Sequence, residues 1–225
     1  MFTTAFECVT GKTVQSLAAV VACRVFNSKT LVNGAVLVIC PASVVVHWES
    51  ETTKFFKPSV LRPVQFADLL RRIATHSYSV IEEELRDSVL QCLSGNDVVI
   101  ISYAKFLKEV LLLKNVAWGA VILDEAHIIK NPKSRTAEAV FSMQANQRIA
   151  ISGTPLQNNV HELWSIFNFL LPGYLGEFAV FRSEYILPIQ RSYQHNASVG
   201  KLGKTPSLAV EGLAKLKQLH KMVNW

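Results

Sequence analysis

Two adjacent carboxylates stand where a parallel sheet normally binds its ligand. Asp124 and Glu125 begin the segment Asp-Glu-Ala-His, directly after the apolar run 120–123. That run predicts a buried strand, and open α/β sheets bind ligands at the carboxyl ends of their strands. Carboxylate oxygens are ligands that magnesium prefers. We therefore predict that Asp124 holds Mg²⁺, directly or through its waters, while Glu125 polarises an attacking water molecule.

Such a metal site requires a cradle for phosphate, and Gly11-Lys12-Thr13 supplies the second half of one. In the pattern G-x-x-x-x-G-K-T the lysine neutralises β and γ phosphate charge and the threonine ligates magnesium. Backbone N–H groups at the helix start face the phosphates. The first half differs, because Phe6 occupies the first glycine position. About five residues precede it, which we expect to be too few for a strand and its turn.

A third polar segment, Ser152-Gly153-Thr154-Pro155, follows the apolar run that ends at Ile151. Small hydroxyl residues and a glycine at a strand end can approach a neighbouring carboxylate closely and report its ligand state to the rest of the domain. By itself this segment could be only a polar turn. The three segments in this order, each at a strand or helix end, are hard to obtain by chance.

Strands and helices must alternate to bring these segments to one edge of a sheet. Apolar, β-branched runs predict buried strands at 36–40, 98–102, 120–123 and 148–152. Helical patterns occupy 14–26, 81–93, 134–143 and 160–171. This alternation predicts a parallel α/β sheet. The polar segment 191–205 predicts a flexible loop, and Thr205 with Pro206 is typical of the start of a final helix over 206–225.

Composition limits the class of protein. The chain has 225 residues, of which 50% are hydrophobic, and this is ample for a buried core. A net charge of +6 favours nucleic acid or another polyanion without requiring either. The four cysteines are far apart and suggest neither a zinc site nor disulfides. The apolar tract 14–23 is too short to span a bilayer, so we expect no membrane contact. A GTPase is disfavoured, because no guanine-reading Asn-Lys-x-Asp occurs.

With these motifs, the sequence resembles the Swi/Snf-type branch of the superfamily-two helicase-like ATPases over essentially its whole length. Further matching segments are 38–43 with Trp48, 99–103, 129–131, 163–165 and 170–173. The resemblance implies a RecA-like (P-loop NTPase) fold, a three-layer α/β structure with a parallel sheet and helices on both faces. It implies the first helicase lobe only. We expect an ATP-binding lobe shortened at its start over 1–190, a loop over 191–205 and a helix over 206–225 that leads toward a second lobe.

The resemblance also implies ATP hydrolysis coupled to movement along double-stranded DNA. Four residues match positions near which the family's first lobe meets the DNA backbone: Pro41, Ser43, Ser102 and Tyr103. The alternative is structural, with Pro41 and Ser43 ending a strand and Tyr103 in the core. Trp48 is interpreted as a packing residue.

A coupling role between the acidic box and the segment after Ile151 is implied for His127, Ser152, Gly153, Thr154 and Gln157. The alternative for the histidine is a packed structural side chain.

Within the family, the residues of segments 152–160 and 185–189 are similar to the matching segments of ATPases associated with the TATA-binding protein. TATA-binding protein or a nucleosome is therefore the expected protein partner, and the nucleus the expected location. Two departures stand against activity: Val9 replaces a family glycine, and the chain ends before any second lobe. We expect this chain alone to hydrolyse ATP poorly or not at all. A non-catalytic DNA- or protein-binding fragment with a defective phosphate loop is the alternative.

Overall fold

A computed structural model describes residues 3–6, 11–26, 34–74, 93–153 and 160–191, together with 214, 215 and 217. At 3–6 and 72–74 it describes the backbone alone. The chain divides into two compact units, Met1–Pro155 and Leu156–Trp225. The three chemical segments of the sequence all begin within the first unit.

The first unit is built on a parallel sheet. Its strands in chain order are β1 (Thr3–Phe6), β2 (Val36–Cys40), β3 (Arg62–Gln65), β4 (Asp97–Ser102), β5 (Trp118–Leu123) and β6 (Ala145–Ile151). They lie side by side in the order β1-β6-β5-β2-β4-β3, and each pairing is parallel. All the carboxyl ends therefore meet along one edge, with β5 and β2 in the middle.

The connections between these strands are largely helical. The helices of the first unit are α1 (Lys12–Phe26), α2 (Val45–Phe55), α3 (Phe66–Ala74), α4 (Tyr103–Leu113) and α5 (Arg135–Phe141), with single 3₁₀ turns at Ala42–Val44 and Ala126–Ile129. Serine side chains start two of the helices: Ser102 accepts a hydrogen bond from the backbone N–H of Lys105, and Ser134 from that of Ala137. Such caps satisfy N–H groups that the first helical turn leaves unpaired.

Helices cover both faces of the sheet. Alternate strand residues such as Val38 and Ile122 pack with Leu17 of α1 and Trp48 of α2 in one core cluster. The residues between them point to the opposite face, where Ile39 is equally buried. Helix α4 contacts β2 and β4. The result is three layers, which confirms the predicted α/β architecture with a parallel sheet.

Two glycines bring the central strands together at their starts. Gly119 N–H donates to the carbonyl of Ala35 at 2.9 Å. A Cβ atom at Gly34 would lie 2.6 Å from the Gly119 nitrogen and 2.9 Å from the Ala117 oxygen. Any side chain at Gly34 would therefore overlap backbone that has no room to move, which is why glycine is needed there.

Four predicted strands are confirmed, with ends that differ by a few residues. The expectation that too few residues precede Phe6 for a strand and its turn was wrong about the strand, because Thr3–Phe6 forms β1 and pairs with β6; residues 7–10 lie outside the described residues. Four residues suffice for an edge strand when a neighbouring strand supplies the hydrogen bonds. Strand β3 and helices α2, α3 and α4 were not predicted. Residues 81–92 of the expected helix, 192–205 of the expected loop and Val9 lie outside the described residues; residue 93 is not helical, and Arg191 is helical rather than part of a loop.

The second unit contains α6 (Val160–Leu170) and α7 (Phe178–Phe181), which continues into a π-helical turn at Arg182–Ile186. Aromatic contacts hold it together: Trp164 donates its indole N–H to the Gly176 carbonyl at 3.2 Å, and its ring meets Phe178 edge-on at 5.0 Å. Within the expected helix 206–225, residues 214, 215 and 217 are helical and the remainder lies outside the described residues.

Candidate functional site

The carboxyl ends of neighbouring strands bring the predicted site residues together. Asp124 follows β5, Ser152 follows β6, and Lys12 begins α1 after β1. Since β5 and β6 are adjacent and parallel, their ends face the same edge of the sheet. Sequence reasoning had placed these residues at strand or helix ends, and the sheet order makes them neighbours.

Asp124 is held from several directions. Its Oδ2 accepts a 2.8 Å hydrogen bond from the indole N–H of Trp48, and its Oδ1 accepts one of 3.0 Å from the backbone N–H of Glu125. Its own N–H donates to the Ile39 carbonyl at 2.9 Å, and its carbonyl accepts from the Tyr103 hydroxyl at 2.9 Å. Both the side chain and the backbone of this residue are therefore fixed.

The pKa of the Asp124 carboxyl is raised, because burial outweighs the contacts that stabilise its charged form. Burial raises the pKa of its carboxyl above the ordinary value, and the nearby Glu125 carboxylate raises it further. The hydrogen bonds from Trp48 and from the backbone of Glu125 lower the pKa, as does the positive charge of Lys12. A cation placed against this carboxylate would favour its charged form in the same way as Lys12 does.

Glu125 turns away from the path of the strand. Its φ of 53° lies in the left-handed region, and it is the one such non-glycine residue in the described part of the chain. Its Oε2 accepts a long hydrogen bond of 3.4 Å from Gly153 N–H and lies 3.1 Å from His127 Nδ1, without hydrogen-bond alignment to the latter. Because of this turn, the two adjacent carboxylates contact different partners.

Gly153 lies close to Glu125, at a distance that would also leave room for a methyl group. A Cβ atom at this position would lie 3.4 Å from Glu125 Oε1 and 3.5 Å from Oε2. The predicted close approach between a glycine at a strand end and a neighbouring carboxylate is thus present. Thr154 and Gln157, the other predicted coupling residues of this segment, lie outside the described residues.

Lys12 reaches across from α1 to β6. Gly11, with φ of +85°, precedes the helix and accepts from Gln15 N–H at 3.0 Å, which starts the first turn. The Lys12 ammonium group donates to the Ser152 carbonyl at 3.1 Å. Thr13 is half-buried in the same turn, and its carbonyl accepts from the Ser16 hydroxyl at 2.9 Å. The predicted phosphate-binding lysine therefore stands beside the segment predicted to report on phosphate.

The residues predicted to meet DNA lie at the ends of β2 and β4, which are adjacent. Ser43 is exposed and Pro41 is half-buried at the start of a 3₁₀ turn. The Ser102 hydroxyl caps α4. Tyr103 is buried, its hydroxyl is bonded to Asp124, and burial followed by the charge of Asp124 raises its pKa well above the ordinary value. The structural interpretation of Tyr103 therefore has direct support.

Trp48 is the residue whose role at the site the sequence did not reveal. It was interpreted as a packing residue, and its side chain is indeed fully buried. A buried indole N–H needs an acceptor, however, and this one is bonded to the predicted metal ligand. The available signal was a tryptophan in a helix that starts beside the Pro41 segment, but nothing in the spacing identifies its partner.

The described residues contain neither a cluster of metal-binding side chains nor a membrane-spanning helix. They contain no group of three or more histidine, cysteine, aspartate and glutamate side chains that could enclose a metal ion. None of their helices is long and apolar enough to cross a membrane.

Comparisons with known proteins agree with this geometry. The protein-family model described as SNF2-related domain matches residues 5–224. The chain is 34% identical over 187 residues to TATA-binding protein-associated factor BTAF1 of Arabidopsis thaliana, covering 83% of this chain and 8% of that protein. It is 36% identical over 188 residues to TATA-binding protein-associated factor MOT1 of Saccharomyces cerevisiae, covering 83% and 9%.

A solved structure described as the Sulfolobus solfataricus SWI2/SNF2 ATPase core in complex with dsDNA superimposes with a TM-score of 0.69 at 30% identity. The match covers 98% of this chain and 38% of that one. It confirms the RecA-like fold that the sequence resemblance implied. The chain thus spans only a small part of the length of the relatives that it matches.

Proposed function

Because the chain belongs to the SNF2-related family and resembles a solved SWI2/SNF2 ATPase core, we propose that it is the first nucleotide-binding lobe of an ATP-dependent, double-stranded-DNA-translocating remodelling ATPase. The observation that carries this proposal is the convergence of Lys12, Asp124, Glu125 and Gly153 at one sheet edge. Their proposed roles are phosphate binding for Lys12, magnesium binding for Asp124, polarisation of water for Glu125 and sensing of Glu125 for Gly153.

The phosphate end of ATP is proposed to lie at the start of α1. Gly11 and Lys12 supply a helix N-terminus and a mobile positive charge, which both favour an anion. Lys12 now donates to the Ser152 carbonyl. When the ammonium group turns to phosphate oxygens, that carbonyl loses its charged donor. Lys12 thereby provides a direct physical link between phosphate and the segment that begins at Ser152.

The donors at Asp124 fit magnesium. Each carboxylate oxygen accepts one hydrogen bond from the protein and keeps a further lone pair. Asp124 would hold the ion directly or through water, and Thr13 would add a hydroxyl ligand from α1. A bound magnesium ion would supply positive charge that offsets the charge on the phosphate oxygens. The chain's own part is to present hard oxygens in a fixed orientation.

Glu125 is proposed to orient and polarise the attacking water molecule. Its left-handed backbone carries the carboxylate away from Asp124 and toward Gly153 and His127. Backbone in this region is costly for a residue with a side chain, so it tends to persist where it serves a site. Gly153 and His127 are proposed, with Ser152, Thr154 and Gln157, to sense the state of Glu125 and transmit it.

Double-stranded DNA is proposed to contact the ends of β2 and β4 through Pro41, Ser43 and Ser102, with the buried Tyr103 supporting this surface from the interior. The support is their position on adjacent strands at the edge that carries Asp124, and the net charge of +6. By similarity to the named TATA-binding protein-associated factors, the remodelled partner is TATA-binding protein or a nucleosome. A second lobe completes the ATPase, and the nucleus is the proposed location.

Calorimetric titration of this chain with Mg-ATP tests the proposal. Saturable binding is expected in the wild type and should be lost in Lys12→Ala and Asp124→Ala. Lys54→Ala is the matched control, because Lys54 is an exposed lysine at the end of α2 and should leave binding unchanged. Absence of binding at millimolar nucleotide would contradict the proposal and favour a non-catalytic DNA- or protein-binding fragment.

Turnover is expected to be slow in this chain alone. In related phosphoryl transfer an arginine supplied from outside the phosphate loop is worth roughly a thousandfold or more, and the second lobe is proposed to supply it. Phosphate release should therefore remain near background with and without double-stranded DNA. Strong DNA-stimulated release would refute this dependence on the second lobe.

A further inference from the structure

The indole of Trp48 touches the proposed metal ligand from the interior of the protein. Its side chain is fully buried, and its N–H donates to Asp124 Oδ2 at 2.8 Å. The other carboxylate oxygen, Oδ1, accepts from the backbone N–H of Glu125 at 3.0 Å. One donor therefore acts on each oxygen, and together they fix the plane of the carboxylate.

We propose that Trp48 is a positioning residue for Asp124: it sets the orientation in which that carboxylate meets a divalent cation. The inference rests on the proposed function, because it assigns a role within the same nucleotide site. A carboxylate with a single donor can rotate about its terminal bond. With a donor on each oxygen, the remaining lone pairs keep fixed directions. Partners of this kind often matter for metal affinity as much as the ligand itself does.

Simple packing does not explain the choice of acceptor. Trp118 is similarly buried, and its indole N–H bonds the carbonyl of Leu113 at 3.0 Å. Trp164 bonds a carbonyl as well, that of Gly176. Trp48, in contrast, donates its indole N–H to a carboxylate oxygen. A bond between an N–H and a charged oxygen is stronger than one to a neutral carbonyl and fixes geometry more firmly.

The backbone of Asp124 is fixed independently of its side chain. The Tyr103 hydroxyl donates to the Asp124 carbonyl at 2.9 Å, and the Asp124 N–H donates to Ile39. With its backbone held, the remaining freedom of Asp124 is largely the rotation of its carboxylate. Trp48 restricts that rotation, so loss of the indole N–H should affect cation binding more than it affects the fold.

The test compares Trp48→Phe with Trp118→Phe in this chain. Both substitutions replace a fully buried indole by a smaller apolar ring and remove one N–H donor. Their costs to folding should be similar, and Trp118 does not contact Asp124. The magnesium concentration needed for half-maximal ATP binding is measured by calorimetry in each variant. We expect it to rise about tenfold in Trp48→Phe and to stay at the wild-type value in Trp118→Phe. ATP binding in the presence of a chelator should be the same in both variants.

A second measurement follows the indole N–H resonance of Trp48 by nuclear magnetic resonance, assigned by its absence in Trp48→Phe. It should shift when magnesium chloride is added and should shift in Asp124→Asn, while the Trp118 resonance stays in place. A purely structural tryptophan would not respond to the cation.

The outcomes separate this inference from the proposed function. If the chain binds Mg-ATP and both tryptophan variants need the same magnesium concentration, the inference is wrong and the proposed function stands. If the wild-type chain binds no Mg-ATP, the proposed function fails. In that case the response of the Trp48 resonance to magnesium chloride decides the inference: a shift in the wild type that is absent in Asp124→Asn supports it, and the absence of a shift in the wild type overturns it.

Discussion

Gly34→Ala should destabilise the first unit, because it places a methyl group between two central strands. An ideal Cβ at this position lies 2.6 Å from the Gly119 nitrogen. Comfortable contact needs about 3.5 Å, so the strands must part by about 0.9 Å. The hydrogen bond from Gly119 N–H to Ala35, 2.9 Å long, is then lost.

The magnitude follows from these two effects. A buried hydrogen bond contributes about 1 kcal/mol. Overpacking of a close-packed core by one methyl group costs about 1–3 kcal/mol. We therefore expect the free energy of unfolding to fall by about 3 kcal/mol, a large part of the 5–15 kcal/mol that is typical of a domain.

Urea unfolding followed by circular dichroism measures this change. The midpoint should decrease at nearly constant slope, since the surface exposed on unfolding is the same. Gly11→Ala is the control: a Cβ there meets nothing within 4 Å, but its φ is +85°. It should lower the free energy of unfolding by about 1–2 kcal/mol, because alanine disfavours the left-handed backbone conformation. A loss in Gly34→Ala no greater than in Gly11→Ala would refute the argument that the glycine contact is rigid.

Three further predictions concern charge and capping. Burial and then the charge of Asp124 raise the pKa of Cys40 from 9.0 to about 12. The native thiol keeps its proton where the unfolded chain loses it, so the free energy of unfolding should fall between these pH values, and less steeply in Cys40→Ala. Arg62→Met removes the ion-pair partner of Asp97, which is 1% exposed. The substitution should lower the free energy of unfolding, measured with urea, by about 2 kcal/mol. This is less than the loss expected for a fully buried pair, because Arg62 is 45% exposed. Ser134→Ala removes the α5 cap and should cost about 1 kcal/mol by the same assay.

The neighbouring carboxylates Asp124 and Glu125 contact different partners. Asp124 is fixed by Trp48 and Tyr103 from the interior, whereas Glu125 contacts Gly153 and lies near His127 at the sheet edge. This separation suits one carboxylate for metal binding and the other for handling water. The left-handed backbone at Glu125 turns its carboxylate away from that of Asp124, although the two residues are adjacent.

The sequence alone was sufficient for the parallel α/β architecture, and it supplied the candidate site residues that the sheet then brings together. Apolar β-branched runs between helical patterns leave few other arrangements, because such strands must be buried on both faces. Asp124, Glu125, Lys12 and Gly153 were identifiable because phosphate and metal chemistry restricts which residue types can stand at strand and helix ends. The roles of these residues, and of Thr154 and Gln157, remain predictions.

Other features were decided only by the tertiary structure. Trp48 and Asp124 are 76 residues apart, and no local periodicity records which acceptor a buried indole will meet. Strand β1 exists because β6 supplies its hydrogen bonds; on its own its sequence appeared too short. The need for glycine at Gly34 likewise appears only when Gly119 packs against it. In each case the stabilising contact joins distant parts of the chain, so only the assembled sheet determines the partner.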